Sequence, residues 1–147
     1  MGNDSVTTRY RQGEVVIGEK IHGDTSIRVD KDEAGTNLYE VEGKSRPMLV
    51  IGTPLSHVRV YETLDFTKQR PANGHPDFYL QANNKPRCFG NSFGFTKPSF
   101  LRLFPLNPCS EKKMKPGHGL KPFPKELMID ILKAVNLRLL KMPQTEA

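Results

Sequence analysis

The sequence predicts a mainly β fold closed by one C-terminal helix, a small and mostly antiparallel barrel. Three observations carry that expectation. Twelve glycines and twelve prolines among 147 residues, with 36% hydrophobic residues, suit short strands and irregular turns better than a helical bundle. The apolar residues of the first hundred or so positions fall in short β-branched and aromatic runs bounded by turn residues. After Pro124 the apolar spacing changes to every fourth residue, which is helical. A chain of this length closes one core and not two.

Residues 1–12 are polar and are expected to be a flexible N-terminus; 13–142 form the barrel domain and 143–147 a tail. "GEVVIGEKI" (13–21) opens on a turn glycine and carries a β-branched run, a first strand. The polar, Gly-punctuated stretch 22–46 reads mostly as a long loop, with room for a short ribbon at Ser26–Val29 and Leu38–Val41. "PMLVIG" (47–52) is a second strand, and its unbroken apolarity predicts burial on both faces. "HVRVYETLDF" (57–66) is a third strand, "TKQRPANGHPD" (67–77) a run of turns, and "FYLQA" (78–82) a fourth strand. "SFGFTKPSFLRLFPL" (92–106) gives one or two short strands that Pro98 and Pro105 confine to edges or ends. Residues 107–121 read as a basic linker. A helix over about 124–141 follows, with Pro124 in its first turn, Glu126 at its positive end, a stripe of Leu127, Ile131, Val135 and Leu139, and Pro143 beyond it.

Charge is unevenly distributed. Residues 1–82 hold 10 Lys and Arg against 12 Asp and Glu, whereas residues 83–147 hold 12 against 4. Such an excess is either a surface facing phosphate or a solvated face. Phe89, Phe93, Phe95, Phe100 and Phe104 lie within the basic half; rings among cations suit single-stranded nucleic acid, although most such rings belong to a core. Cys88 and Cys109 form no CxxC and no disulfide framework, so two free thiols are expected and zinc is not. No apolar stretch is long enough for a membrane span, and the polar start carries no signal core, so a soluble cytoplasmic protein is expected. His22, His57, His75 and His118 lie at no metal-ligand spacing, and no metal or cofactor is expected. A Gly-rich phosphate loop and a nucleophile elbow are also missing, which leaves a small-molecule enzyme without a motif.

One cation stands apart. Arg46 directly precedes Pro47 and the apolar run, where a strand leaves its loop. It is either a surface cation paired with Glu40 or Glu42, or a group aimed into a site.

The order of "GEVVIG", a loop, "SRPMLVIG", "SFGFTKPSFLRLFPLN" and "FPKELMIDILKAVNLRLL" resembles the MazF/PemK family of toxin ribonucleases, which pairs a Gly-Asp-apolar first strand with an Arg-Pro-apolar second strand. The resemblance spans most of residues 13–140, with the Arg-Pro strand its sharpest part. It implies an SH3-like, MazF-like barrel and metal-independent cleavage of single-stranded RNA through attack of the 2′-hydroxyl. It also implies a two-fold dimer and an antitoxin that offers an acidic, apolar tail to the basic surface. Arg46 falls on the family's catalytic arginine and Glu19 near an acidic position at the end of the first strand. The family's Thr or Ser at the end of the third strand falls between Thr63, about one position early, and Thr67, late. An extra residue between Gly43 and Arg46 and the insertion "QRPANGHP" depart from the family pattern.

Such a reaction needs positive charge on the phosphorane, a role suited to the planar and always charged Arg46. Thr63 is a candidate to bond a non-bridging oxygen, and Glu62, Asp65, Glu19 and His57 are candidate proton carriers. His22, Lys44, His57, Lys68 and Arg70 are candidate RNA-binding residues. The alternative is a non-catalytic small-barrel module that binds nucleic acid or peptide, having lost its acid–base partner.

Overall fold

The computed structural model describes residues 8–20, 26–31, 37–42, 44–54, 57 and 59–140, with backbone alone for 20, 26–31, 37–42 and 44. Gly13, in the left-handed region at φ 96°, turns the chain into β1 (Val15–Lys20). Another side chain at that φ is strained, and a Cβ there would press within 3.2 Å of the Phe123 carbonyl. β2 (Ser26–Lys31) and β3 (Asn37–Glu42) pair with each other, antiparallel, as a two-stranded sheet, where the sequence suggested a ribbon. β4 (Lys44–Gly52) returns along β1, with Leu49 opposite Val15 and Arg46 opposite Gly18. β5 (Val60–Thr67) pairs with the other edge of β4, with Met48 opposite Asp65 and Val50 opposite Thr63. The register shifts between Val50 and Gly52, and such a bulge bends the strand and deepens the twist.

The remaining strands are short. β6 (Cys88–Phe89) pairs with β7 (Ser99–Leu101), and β7 with the end of β5. β8 (Asn107–Ser110) takes the first half of the same β5 edge, so two strands share it. β9 (Lys115–Pro116) borders β1. The result is a mostly antiparallel sheet curled into a half-barrel, with α1 (Lys125–Leu140) as the one α-helix among the described residues.

Two differences from expectation have simple causes. "FYLQA" makes only isolated bridges, Phe78 to Arg102 and Leu80 to Pro86, because the surrounding turns leave it no ladder to extend. Residues 107–121, read as a linker, contain β8 and β9. Their prolines hid them, yet Pro108 is exposed within β8 and Pro116 lies on a border strand, where a missing N–H is tolerated.

Alternation along β4 builds two cores. Leu49 and Ile51 join Val15, Leu64 and Phe66 beneath α1, whose Leu127, Met128, Ile131 and Val135 are buried. Phe66, Phe89, Phe95 and Phe123 pack as a ring cluster there, with Phe66–Phe95 centroids 4.8 Å apart and Phe89–Phe123 4.9 Å apart. Met48 and Val50 face the inside of the curl with Val16, Tyr61, Cys109 and Met114. The unbroken "MLVI" run is thus buried on both faces, at about 1.5–3 kcal/mol per side chain. Leu139 leaves the helix stripe and is exposed: a spacing of four overshoots the 3.6-residue turn, and the drift accumulates by the last turn.

The start of the chain is tied to the curl. The N–H groups of Arg9 and Tyr10 donate to Tyr61 Oη at 3.1 and 3.2 Å, and Tyr61 donates to Glu111 Oε2 at 2.6 Å. Tyr10 itself is buried and donates to the Met114 carbonyl at 3.2 Å, so this part of the expected flexible N-terminus belongs to the packed structure. Both cysteines are free, Cys88 exposed and Cys109 buried. Among the described residues, no helix is long and apolar enough to cross a membrane.

Candidate functional site

Arg46, Met48 and Val50 alternate onto the inner face of the curl, so the apolar floor that buries Met48 leads outward to a cation at the strand start. Pro47 sits between, opposite Ile17. Gly18, opposite Arg46, contributes no side chain; a Cβ there would come within 3.0 Å of Cys109 Sγ and Met48 Sδ. The chain is therefore closely packed beneath the arginine, which is half-buried with its Nε out of solvent.

β5 supplies the neighbours. Asp65 lies opposite Met48, where the pairing of the two strands ends, and Thr67, two residues on, shares its face toward the Arg46 end of β4. On the other side of β5, the Arg102 N–H donates to the Asp65 carbonyl at 3.0 Å, and Arg102 Nε lies 3.7 Å from Asp65 Oδ1. Arg46, Asp65, Thr67 and Arg102 thus share one face at the open end of the curl. Asp65 is almost wholly buried, and a carboxylate in that position is tolerated because cations accompany it. The Gln69 N–H donates to Thr67 Oγ1 at 3.2 Å, which leaves the hydroxyl hydrogen to donate elsewhere. Two planar cations, a hydroxyl donor and a buried carboxylate make a surface suited to a phosphate group.

The residues singled out from sequence separate into three groups. Arg46 is on this face, and Lys68 and Arg70 are exposed in the turn that follows Thr67. Thr63 is on the same face of β5 but four residues deeper, fully buried, where its hydroxyl donates to the Asn107 carbonyl at 2.6 Å. Thr67, not Thr63, is therefore the threonine of β5 at the Arg46 end of β4. Glu62 alternates to the other side, exposed and opposite Pro108. Glu19 Oε2 lies 3.6 Å from Lys113 Nζ; burial pushes the nearby Cys109 thiol pKa up, against a backbone hydrogen bond from Glu19 that lowers it. His57 is exposed ahead of β5. His22 and the Lys44 side chain lie outside the described residues.

Arg102 was missed from sequence although its signal resembles that of Arg46. It interrupts the apolar run "FLRLF", where a cation must either be solvated or meet a partner. Among the described residues, no group of three or more His, Cys, Asp and Glu is placed to hold a metal ion. No protein-family model matches the chain, and no curated protein sequence matches it.

Proposed function

We propose that the chain is a toxin-like endoribonuclease of the MazF/PemK kind, an SH3-like barrel that cleaves single-stranded RNA without a metal. The observation that carries this reading is the β4–β5 pairing, which ends at Met48 and Asp65 and leaves Arg46 of the Arg-Pro strand and the hydroxyl of Thr67 each two residues beyond it, on one face and at one end of the sheet. The antiparallel order of β1, β4 and β5 and the closing helix agree with it.

In this reading the RNA 2′-oxygen, giving up its proton, attacks the adjacent phosphorus, and the bond to the 5′-oxygen breaks as that oxygen takes up a proton. A cyclic 2′,3′-phosphate and a 5′-hydroxyl are left. Arg46 holds the non-bridging oxygens as negative charge gathers on the phosphorane, and Thr67 donates a hydrogen bond to one of them. Asp65 keeps Arg102 aligned beside them through its carboxylate. The protein acts in the cytoplasm as a two-fold dimer and is neutralised by an antitoxin whose acidic tail covers the cations.

A second reading, a nucleic-acid-binding module without turnover, is favoured by one observation. Of the candidate proton carriers, Glu62 is on the far face of β5, and Glu19 Oε2 lies 3.6 Å from Lys113 Nζ. Incubating single-stranded RNA with the protein in EDTA, wild type beside Arg46→Ala, separates the two. Fragments with 5′-hydroxyl ends from the wild type alone support the ribonuclease; intact RNA that binds in a salt-sensitive way supports the module.

A further inference from the structure

The insertion after β5 builds a hollow of its own. Residues 68–77 are held by backbone bonds: Gly74 N to the Asn84 carbonyl at 2.7 Å, Phe78 N to the His75 carbonyl at 3.2 Å and Leu103 N to the Asp77 carbonyl at 2.6 Å. Gly74 and Asn84 take the left-handed conformation that these turns require. Between this insertion and β7 lies a cavity of about 310 Å³ lined by Thr67, Gln69, Arg70, His75, Phe78 and Arg102.

The cations of this hollow are oriented. The Arg102 guanidinium lies 4.9 Å over the Phe78 ring with its buried Nε 3.7 Å from Asp65 Oδ1, beyond hydrogen-bond reach, and the Arg70 guanidinium lies 6.0 Å over Phe100. His75 stands edge-on to Phe78, and its Nδ1 accepts the Asp77 N–H at 3.1 Å. The neutral ring therefore carries its hydrogen on Nε2, which makes that atom a donor. The carboxylates nearby are both engaged: Asp77 accepts from Arg138 Nε at 2.7 Å, and Asp65 sits behind Arg102. The lining thus offers two guanidinium forks, an imidazole N–H, an amide and the Thr67 hydroxyl. That many convergent donors exceed the two oxygens of a carboxylate and match the oxygens of a phosphate.

We propose that this hollow binds a phosphate group, the one neighbouring the phosphate held at Arg46 on a bound RNA strand. Thr67 is common to both places, so one strand passes from Arg46 into the hollow. The identity of the ligand as RNA rests on the function proposed above; the phosphate chemistry does not.

Binding of an uncleavable 2′-O-methyl single-stranded oligoribonucleotide, followed by anisotropy across a salt series, tests this. Arg70→Gln together with His75→Gln should weaken binding about 3–10-fold and flatten the slope of log K against log salt by about 0.7, the value for one phosphate on a single strand. Arg102→Gln, compared after its melting curve, should do the same. Unchanged affinity and slope in the double variant would overturn the subsite, while the ribonuclease would still stand if Arg46→Ala had lost cleavage. Should the wild type bind no RNA, a nuclear magnetic resonance titration with inorganic phosphate separates the remaining cases. Movement of the Arg70 and His75 signals keeps a site for free phosphate and removes the RNA reading; no movement removes both.

Discussion

Asp65 of β5 and Arg102, the residue after β7, lie side by side, the carboxylate nearly out of solvent and the guanidinium Nε 3.7 Å from it. The pair is asymmetric, since Arg102 keeps about a third of its side chain exposed. Removing the cation leaves a buried anion short of a partner; removing the anion leaves a cation that water can reach. Arg102→Ala should therefore cost more than Asp65→Asn, about 2–4 against about 1–2 kcal/mol, in urea unfolding. Equal costs would mean that the carboxylate depends on its other partners.

Thr63 and Thr67 separate stability from activity. Thr63→Val removes a hydroxyl that donates to a buried carbonyl and should cost about 1–2 kcal/mol while leaving RNA binding unchanged. Thr67→Val, half-exposed at the edge of the face, should leave the melting temperature nearly unchanged and slow RNA cleavage. The reverse pattern would return the active hydroxyl to Thr63.

Arg46→Ala should slow cleavage roughly 100-fold, and Arg46→Lys should recover little of it, because a point charge replaces a fork that grips two oxygens. Full recovery by lysine would show that charge alone is needed. Single-turnover assays on a short RNA measure both.

Tyr79 donates to Asp130 of α1 and is buried. Burial first, and then the bond to Asp130, push its phenol up to about 12 from the ordinary 10. The folded state holds this proton more tightly than the unfolded chain does. The stabilisation is therefore complete below pH 10 and is lost as pH rises through 12. Urea unfolding between pH 8 and pH 12 should show a steeper alkaline decline for wild type than for Tyr79→Phe. Some decline should remain in the variant, since burial and Glu111 shift Tyr61 in the same direction. Parallel declines would place the titration elsewhere.

Gly94 takes a left-handed conformation, and a Cβ there would overlap the Gly119 carbonyl. Backbone atoms cannot swing aside as a flexible side chain can. Gly94→Ala should cost several kcal/mol, about 3 or more, whereas Gly74→Ala, also left-handed but in open space, should cost about 1. Thermal melts of the two variants compare overlap with backbone strain alone.

The elements that could be read in advance were those whose local pattern and tertiary role agree. β1, β4 and β5 carried β-branched or unbroken apolar runs, and α1 carried its own start signal in Pro124. β8 could not be read, because only the partnership with β5 makes a strand of "NPCS". The site followed the same rule. Arg46 was visible because Pro47 and an apolar run mark its place, but its neighbour depended on register. Thr63 and Thr67 share a face, and only pairing with β4 tells which of them is buried. Arg102, His75 and Asp65 meet through β7 and the insertion, at separations that no short motif spans.

The bond from Tyr10 to the Met114 carbonyl joins residues 104 positions apart, and β9, one residue later, borders β1. On a ribosome adding about 5–20 residues each second, roughly 5–20 s separate the making of those partners. During that interval Met48, Val50 and Tyr61 have no complete enclosure, whereas the β1–β4–β5 pairings are already available. Nascent chains stalled with about 105 residues outside the tunnel should therefore be cut readily near Tyr10 and Tyr61 by chymotrypsin. Chains with more than about 120 residues outside the tunnel should resist. Protection in the shorter chains would mean that the curl closes without its last strands. The order of synthesis thus leaves the inner core open until Met114 and β9 emerge and the core beneath α1 open longer still, and for those seconds the chain depends on whatever shields apolar surface in the cell.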